Sequence, residues 1–252
     1  MASPLAVISG GSRGLGFQTA CALGLMGYDL VLIAKRAEGL AAAKEKLLQD
    51  QRAAGRGGQQ VSVFECDLEN PELTGDLVAQ VKAQFPAPQA LVLAHGVMSA
   101  KMSKTLKTDA AEWRRVLSIN LDSVFQLINA IAPAMVESRD GRVVVFSACL
   151  GRMSGPGNAG GLAPYRISKA GVNALVRNLA HETGLGSRGF LVDAVCPGHS
   201  RTDMGGPDAP RSPEEGAATA IWLATRPFDP TSADQKAAVT GVLWEDMSVV
   251  PW

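Results

Sequence analysis

The sequence has few of the features that mark membrane, secreted or nucleic-acid-binding proteins. Its 252 residues include four cysteines without a CxxC pair, and 24 Lys and Arg balance 24 Asp and Glu. Balanced charge gives no general attraction to nucleic acid or to anionic lipid. Glycine and charged residues interrupt the apolar stretches well before the ~18 residues that a membrane-spanning helix needs. We therefore expect a cytoplasmic protein with reduced thiols and with neither a nucleic-acid nor a membrane partner.

The chain alternates short apolar runs with longer segments of helical periodicity. This alternation is typical of βαβ units that build a parallel sheet. Strands are predicted at Leu5–Ser9, Asp29–Ala34, Gln60–Glu65, Ala90–Leu93, Arg142–Ser147, Phe190–Val195 and Val239–Leu243. Helices are predicted at about 14–26, 37–53, 71–84, 109–137, 163–184 and 213–225. Because no linker divides residues 1–252, we expect a single α/β domain with a doubly wound, parallel, seven-stranded sheet and helices on both faces.

A glycine-rich turn directly follows the first predicted strand and leads into a helix. The turn reads Ser9-Gly10-Gly11-Ser12-Arg13-Gly14-Leu15-Gly16. Glycines let the backbone approach a pyrophosphate closely, and the N-terminal end of a helix stabilises negative charge. Strand, turn and helix together predict a dinucleotide-binding site, although a glycine-rich turn that binds nothing is the alternative.

Four further motifs follow in order along the chain. Asp67 follows the third strand, Asn120 lies in the long middle helix, Tyr165 and Lys169 form Tyr-x-x-x-Lys, and Pro197-Gly198 precedes Thr202. With the glycine turn, they resemble the short-chain dehydrogenase/reductase family from about residue 4 to residue 252. The resemblance implies a Rossmann-type fold, NAD(P)-dependent oxidation or reduction at CH–OH donors, and a homodimer or homotetramer. The segment after Cys196 is similar to the carbonyl-reductase branch.

The resemblance also implies a catalytic set. Tyr165 and Lys169 are four residues apart on a predicted helix and therefore share one face. An ammonium group nearby lowers the pKa of a tyrosine hydroxyl, which is about 10 when unperturbed. In the family the tyrosine is the general acid for carbonyl reduction, and the lysine tunes it and binds the nicotinamide ribose. The asparagine, here Asn120, holds a water of the proton relay.

One member of the family's catalytic set is missing. The serine that binds the substrate oxygen aligns with Ala148, whereas Ser147 precedes it. Adjacent strand residues point to opposite faces, so Ser147 can act as the catalytic donor only if the strand ends early. The hydroxyl of Ser154, a loop N–H group, or a substrate that needs no donor are the alternatives. Losing one such donor lowers the rate about 10²–10³-fold in well-studied sites.

Basic residues predict NADP(H) rather than NAD(H). The second strand ends in Lys35-Arg36, without the acidic residue that binds the ribose of NAD, and Arg13 lies in the glycine turn. Two guanidinium groups suit the 2′-phosphate of NADP(H), although both arginines could also simply be solvated. The resemblance implies cofactor contacts at Gly10, Ser12, Arg13, Gly14, Leu15, Gly16, Arg36, Asp67, Leu68, Ala94, Gly96, Tyr165, Lys169, Pro197, Gly198 and Thr202.

These expectations favour an NADPH-dependent enzyme that reduces the ketone or aldehyde group of a small to medium apolar substrate. Tyr165 would donate the proton to the carbonyl oxygen. Two alternatives stay open because Ala148 replaces the serine: reduction of an imine or another unusual acceptor, and a regulator that binds NADP(H) with impaired catalysis. Leu93-Ala94-His95-Gly96 stands where the family has Asn-Asn-Ala-Gly. The asparagines that brace the sheet are therefore absent, and we interpret His95 as a packed residue.

Overall fold

A computed structural model describes residues 3–100, 103–155 and 160–252. These residues contain a single eight-stranded sheet with the order β3-β2-β1-β4-β5-β6-β7-β8. Its strands are β1 Leu5–Ser9, β2 Asp29–Ala34, β3 Val61–Glu65, β4 Ala90–Leu93, β5 Gly141–Phe146, β6 Phe190–Val195, β7 Leu243–Glu245 and β8 Ser248–Val250. The helices are α1 Gly14–Leu25, α2 Ala37–Ala53, α3 Pro71–Gln84, α4 Ala110–Leu117, α5 Ser123–Ser138, α6 Ala163–Glu182, α7 Pro213–Thr225 and α8 Gln235–Ala238.

Helices cover both faces of the sheet, as the sequence predicts. Val7 and Ile8 are neighbours on β1, yet they belong to different core layers because successive strand residues point to opposite faces. The layer that contains Val7 packs under α3, α5 and α6. The layer that contains Ile8 packs under α1, α2 and α7. Strands buried on both faces explain the nearly continuous apolar runs in the sequence.

The predicted strand at Val239–Leu243 is wrong, and the sheet has one strand more than predicted. Strand β7 starts only at Leu243 and pairs with the short antiparallel strand β8. The preceding residues instead turn around the carboxylate of Asp193, which accepts the N–H groups of Gly241 at 3.0 Å and Val242 at 3.4 Å. A buried carboxylate needs such donors, and this requirement overrides the local β propensity.

The Asp193 carboxylate belongs to a buried ion pair. Its partner, Arg226, donates from Nη2 at 2.8 Å, and the two side chains are 3% and 1% exposed, respectively. The Arg226 guanidinium also lies 5.1 Å from the Trp222 ring and 4.9 Å from the Trp244 ring. Burial raises the pKa of Asp193, and the positive charge of Arg226 opposes that shift. The pair ties β6 and β7 to the end of α7.

The long middle helix is interrupted at the position of the predicted catalytic asparagine. The residues Ser118–Asp122 form one π-helical turn between α4 and α5, with Ser123 N–H bonded to the Ser118 carbonyl. By length and composition the continuous stretch Ala110–Ser138 could span a membrane. Here, however, its side chains Val116, Leu127 and Met135 are buried within the protein. Such π-turns are frequent at functional sites.

Candidate active site at the carboxyl edge of the sheet

The glycine turn after β1 lies so close to neighbouring backbone that side chains at Gly10 and Gly16 would clash with it. Gly10 and Gly14 have φ values of 70° and 56°, in the left-handed region that favours glycine. A Cβ atom at Gly10 would lie 2.8 Å from the His95 backbone nitrogen, and one at Gly16 would lie 2.4 Å from the Gly10 carbonyl oxygen. The turn therefore packs directly against the backbone that follows β4.

The N-terminal end of α1 is open to an anion. Arg13 stands at the N-cap without a side-chain hydrogen bond to the first turn, and that turn contains no acidic residue. The first N–H groups of a helix have no partner within the helix, so they are available to a phosphate here. Leu15 packs against the core and Ser12 lies near Gly39 of α2, which holds the turn in place. The donor set fits the pyrophosphate of a dinucleotide.

The three predicted phosphate-binding cations are exposed, but they differ in their partners. Arg13 forms an ion pair with Asp203, and Lys35 lies 2.6 Å from Asp67. Arg36 has no ion-pair partner among residues 3–100, 103–155 and 160–252. Burial by itself would raise the pKa of Asp67, but hydrogen bonds from Lys35 and the Glu69 N–H lower it below the usual range. All three cations lie near the ends of β1 and β2.

The other predicted cofactor residues lie around the same edge of the sheet. They differ in whether they are buried or already hydrogen-bonded within the protein. Leu68 is buried in the core, and the Ala94 amide is bonded to the Ser9 carbonyl at 3.1 Å. The Thr202 methyl would lie 3.3 Å from a Cβ atom at Gly14, so the loop that begins with Pro197-Gly198 rests against the glycine turn. Gly198, with a φ value of 66°, allows the chain to turn there.

Tyr165 and Lys169 lie one turn apart on α6, and both are buried. The Lys169 ammonium is 5.8 Å from the centre of the Tyr165 ring and donates to the Phe146 carbonyl at 2.7 Å. Desolvation lowers the pKa of Lys169 to about 8. The predicted lowering of the tyrosine pKa is wrong: burial, followed by the neighbouring Cys196 and Cys149, raises the pKa of Tyr165. In the part of the chain that the structure describes, no side chain hydrogen-bonds the tyrosine hydroxyl.

Asn120 is fully buried and connects the π-turn to the segment after β4. Its Oδ1 atom accepts the Val97 N–H at 2.8 Å, and its Nδ2 atom donates to the Val97 carbonyl at 2.9 Å and to Ser168 at 3.1 Å. A Cβ atom at Gly96 would lie 3.3 Å from Asn120 Oδ1 and 3.6 Å from the Lys169 ammonium. The predicted residues Asn120, Gly96, Lys169 and Tyr165 therefore form one cluster.

Ser147 lies at the end of β5, but its hydroxyl is engaged elsewhere. The strand ends at Phe146, which is the early end that a catalytic Ser147 would require. The hydroxyl instead lies 2.5 Å from the side-chain oxygen of Asn173, one turn after Lys169 on α6. The Ser154 hydroxyl, another candidate donor, donates to the carbonyl of Trp252 at 3.2 Å. Both serines therefore hold parts of the fold together in this structure.

The wall beside Tyr165 is apolar. Ala148 is 9% exposed and packs with Tyr165 and Val116. The partly buried side chains that complete this cluster are Val97, Met98, Leu150 and Leu162. No hydroxyl from the aligned serine position faces the tyrosine, because that position is the Ala148 methyl group.

His95 takes part in a hydrogen-bonded chain that the sequence did not predict. The Ser9 hydroxyl lies 2.5 Å from Nδ1, and Nε2 lies 2.8 Å from the Ser123 hydroxyl. Because Ser123 donates to the Ile119 carbonyl at 2.7 Å, it accepts from Nε2–H, which assigns the neutral tautomer. Desolvation lowers the pKa of His95 to about 3. His95 thus connects the end of β1 to the start of α5. The only sequence signal was its place in the family's asparagine motif.

Comparisons with known proteins identify the family of the chain. A family model described as short chain dehydrogenase matches residues 4–212. The 3-oxoacyl-(acyl-carrier-protein) reductase FabG of Escherichia coli K12 is 30% identical over 200 residues, 79% of this chain and 75% of that protein. The protein of the same name from Pseudomonas aeruginosa PAO1 is 31% identical over 200 residues, with the same 79% and 75% coverage.

Solved structures share the whole fold. A short chain dehydrogenase from Salmonella enterica serovar Typhi superposes with a TM-score of 0.80 at 21% identity, covering 96% of this chain and 95% of that one. A protein described as a short chain dehydrogenase from Shigella flexneri, complexed with NADP, gives a TM-score of 0.78 at 20% identity, covering 95% of each chain. The protein belongs to the short-chain dehydrogenase family, and it is an oxidoreductase whose family binds a nicotinamide cofactor.

Proposed function

We propose that the protein reduces the carbonyl group of a ketone or aldehyde with NADPH, acting on a small to medium apolar substrate. The observation that carries the proposal is the buried pair of Tyr165 and Lys169 beside an apolar wall. A bound nicotinamide supplies hydride to the carbonyl carbon. Tyr165 donates the proton to the carbonyl oxygen, and Asn120 holds the segment after β4 against α6. This assignment corresponds to the carbonyl-reductase branch.

At neutral pH the pair holds a protonated tyrosine beside an ammonium group. Burial raises the pKa of Tyr165, which keeps the hydroxyl protonated at neutral pH. With a pKa of about 8, Lys169 is largely an ammonium at neutral pH, and its charge stabilises the phenolate that remains after proton transfer. Tyr165 can therefore donate its proton to the carbonyl oxygen while Lys169 stabilises the charge that remains.

The apolar lining supports an apolar substrate. Ala148, Val97 and Leu150 offer no hydrogen-bonding side chain, so a polar group placed beside them would lose its water without compensation. The two curated relatives carry a 3-oxoacyl substrate in their names. From these names we transfer to this chain only the reduction of a ketone. The apolar wall at Ala148 favours an apolar substituent on that ketone, but it does not indicate an acyl-carrier protein.

The decisive experiment compares the two tyrosines of the chain. Tyr165→Phe should lower kcat for a panel of apolar ketones and aldehydes about 10²–10⁴-fold while NADPH binding persists. Tyr28→Phe, which removes the phenolic hydroxyl of the half-buried Tyr28, is the control and should keep the wild-type rate. Equal rates of NADPH oxidation for wild type and Tyr165→Phe with every ketone and aldehyde tested would refute the reductase assignment and favour an NADP(H)-binding regulator.

We propose NADP(H) as the preferred cofactor, because Arg36 is exposed and without an ion-pair partner in the described parts of the chain. Arg13 provides a second guanidinium if it exchanges its ion pair with Asp203 for a contact with the 2′-phosphate. Arg36→Ser should weaken NADPH binding about tenfold and leave NADH binding unchanged, as measured by nicotinamide fluorescence. Arg52→Ser, at the other end of α2, is the control. An equal loss for both cofactors would contradict the assignment.

Reduction of an imine is the second candidate, and it is favoured by the apolar residue at position 148. An iminium carbon accepts hydride without a hydroxyl donor to an oxygen. Ala148→Ser should raise carbonyl reduction if the missing donor limits the rate, by up to about 10²–10³-fold. An unchanged or lower carbonyl rate, together with turnover of a cyclic imine by the wild type, would favour the imine.

We also propose that residues 1–252 act as a single cytoplasmic dinucleotide-binding unit that assembles as a homodimer or homotetramer. Phe125 on α5 and Ile167 on α6 are large apolar side chains that are 51% and 44% exposed, and contact with a second copy of the chain would remove this apolar surface from water. Light scattering should show an oligomer for the wild type and a smaller species for Ile167→Glu. A wild-type monomer at micromolar concentration would refute the assembly.

A further inference from the structure

Two cysteines from different parts of the chain meet at the carboxyl ends of β5 and β6. Strands β5 and β6 are parallel neighbours, and Phe146 and Val195 are paired at their carboxyl ends. Cys196 directly follows β6, and Cys149 opens the short 3₁₀ turn that follows Ala148. The Cys149 N–H group donates to the Cys196 sulfur at 3.1 Å. The two thiols are therefore neighbours across the sheet edge that forms the active site.

The two thiols differ in exposure in a way that suits a reactive pair. Cys149 is half-buried, whereas Cys196 is 1% exposed. The pKa of Cys149 is lowered because the Cys196 thiol donates a hydrogen bond to its sulfur. By contrast, burial raises the pKa of Cys21 to about 11 and also raises that of Cys66. Since the thiolate is the nucleophile, Cys149 is the cysteine of this chain best prepared to react.

We propose that Cys149 and Cys196 form an oxidation site that reacts with hydroperoxides and closes to an intramolecular disulfide. The Cys149 thiolate attacks one peroxide oxygen, the O–O bond breaks, and a sulfenic acid and an alkoxide or hydroxide form. The Cys196 sulfur then attacks the Cys149 sulfur, and the sulfenic oxygen leaves as water after taking up a proton. Overall, two thiols and one hydroperoxide give one disulfide, one alcohol (or water, from hydrogen peroxide) and one water.

The position of the pair couples its oxidation state to the active site. The 3₁₀ turn that Cys149 opens is packed tightly on α6, since a Cβ atom at Gly151 would lie 2.7 Å from the Lys169 backbone carbon. The Gly151 N–H is bonded to the Ala148 carbonyl at 3.0 Å, and Cys196 leads directly into Pro197-Gly198. A disulfide requires the two sulfurs to approach to about 2.05 Å in a specific geometry. Oxidation should therefore shift the 3₁₀ turn that packs on α6 or the loop that begins with Pro197-Gly198.

The site itself can be tested without reference to the proposed function. The full chain is treated at neutral pH with limiting hydrogen peroxide, alkylated and digested with trypsin. The expected product links the peptide 143–152 to the peptide 189–201 and has lost the mass of two hydrogen atoms. Cys149 should lose its free thiol at least about tenfold faster than Cys21. Equal rates at both cysteines, or a link to Cys66 or Cys21 instead, would overturn the proposal.

Two variants separate the roles of the two sulfurs. Cys196→Ser should abolish the link and leave Cys149 as a sulfenic acid that dimedone labels. Cys149→Ser should abolish both the link and the labelling. Cys66→Ser is the matched buried control and should leave the link unchanged. If Cys196→Ser gives no dimedone-labelled Cys149, Cys149 is not the peroxide-reactive thiol and the proposal fails.

Discussion

The buried ammonium of Lys169 should lower the stability of the protein at neutral pH. The lysine is 4% exposed, and desolvation lowers its pKa from 10.5 to about 8. Because one pKa unit corresponds to about 1.4 kcal/mol, burial of the charged form opposes folding by about 3 kcal/mol below pH 8. Replacement by methionine removes this penalty but also loses the 2.7 Å hydrogen bond to Phe146, worth about 1–2 kcal/mol. The net gain of Lys169→Met at pH 7 is therefore about 1–2 kcal/mol.

The pH dependence provides the sharper test. The unfolded chain keeps the lysine proton up to about pH 10.5, whereas the folded protein releases it from about pH 8. The unfolded state therefore binds more protons between these values, so wild-type stability rises with pH there relative to a variant without the group. The stability advantage of Lys169→Met should shrink by about 3 kcal/mol between pH 7.5 and pH 10.5.

Urea unfolding followed by tryptophan fluorescence measures this difference at each pH. Lys82→Met, which removes an exposed lysine on α3, is the control and should differ from wild type by a constant amount. A stability difference between wild type and Lys169→Met that does not change from pH 7.5 to pH 10.5 would refute the reasoning. It would mean that the folded protein holds the Lys169 ammonium as favourably as water does.

Three further predictions follow from the same contacts. The kcat for ketone reduction should fall as pH rises through about 8, because the ammonium of Lys169 is lost; a flat profile from pH 6 to pH 10 contradicts this. Asp193→Asn should destabilise the fold by about 3–5 kcal/mol in urea, because Arg226 keeps a buried charge without its partner; a loss below about 1 kcal/mol argues against it. His95→Leu should weaken NADPH binding severalfold and His95→Asn less, since only asparagine can still bond Ser9 or Ser123; equal Kd values contradict the bracing role.

Local sequence patterns were sufficient for most of the fold and for part of the site. The first six strands and six principal helices were located because apolar periodicity reports which backbone segments are buried. The glycine turn was predictable because φ values of 70° and 56° require glycine locally. The Tyr165 and Lys169 pair was predictable because residues four apart on a helix always share a face.

The misplaced strand at Val239–Leu243 shows where local sequence patterns stop being informative. The apolar run from Val239 to Leu243 has strand propensity, yet its first part encloses the carboxylate of Asp193, some 48 residues earlier in the chain. A sequence pattern can show that an aspartate stands in an apolar strand. It does not show which backbone will supply the hydrogen bonds that the buried charge requires.

By itself, the sequence determined the first six strands, the principal helices, the glycine turn and the shared helix face of Tyr165 and Lys169, because each depends on residues close together in the chain. The tertiary structure decided the partners of single polar groups: Ser147 meets Asn173, Ser154 meets Trp252, and Cys149 meets Cys196, across separations of 26, 98 and 47 residues. Such partners depend on which strand ends become neighbours in the sheet. Whether a serine is free to bind substrate, or a cysteine to react, follows from that packing.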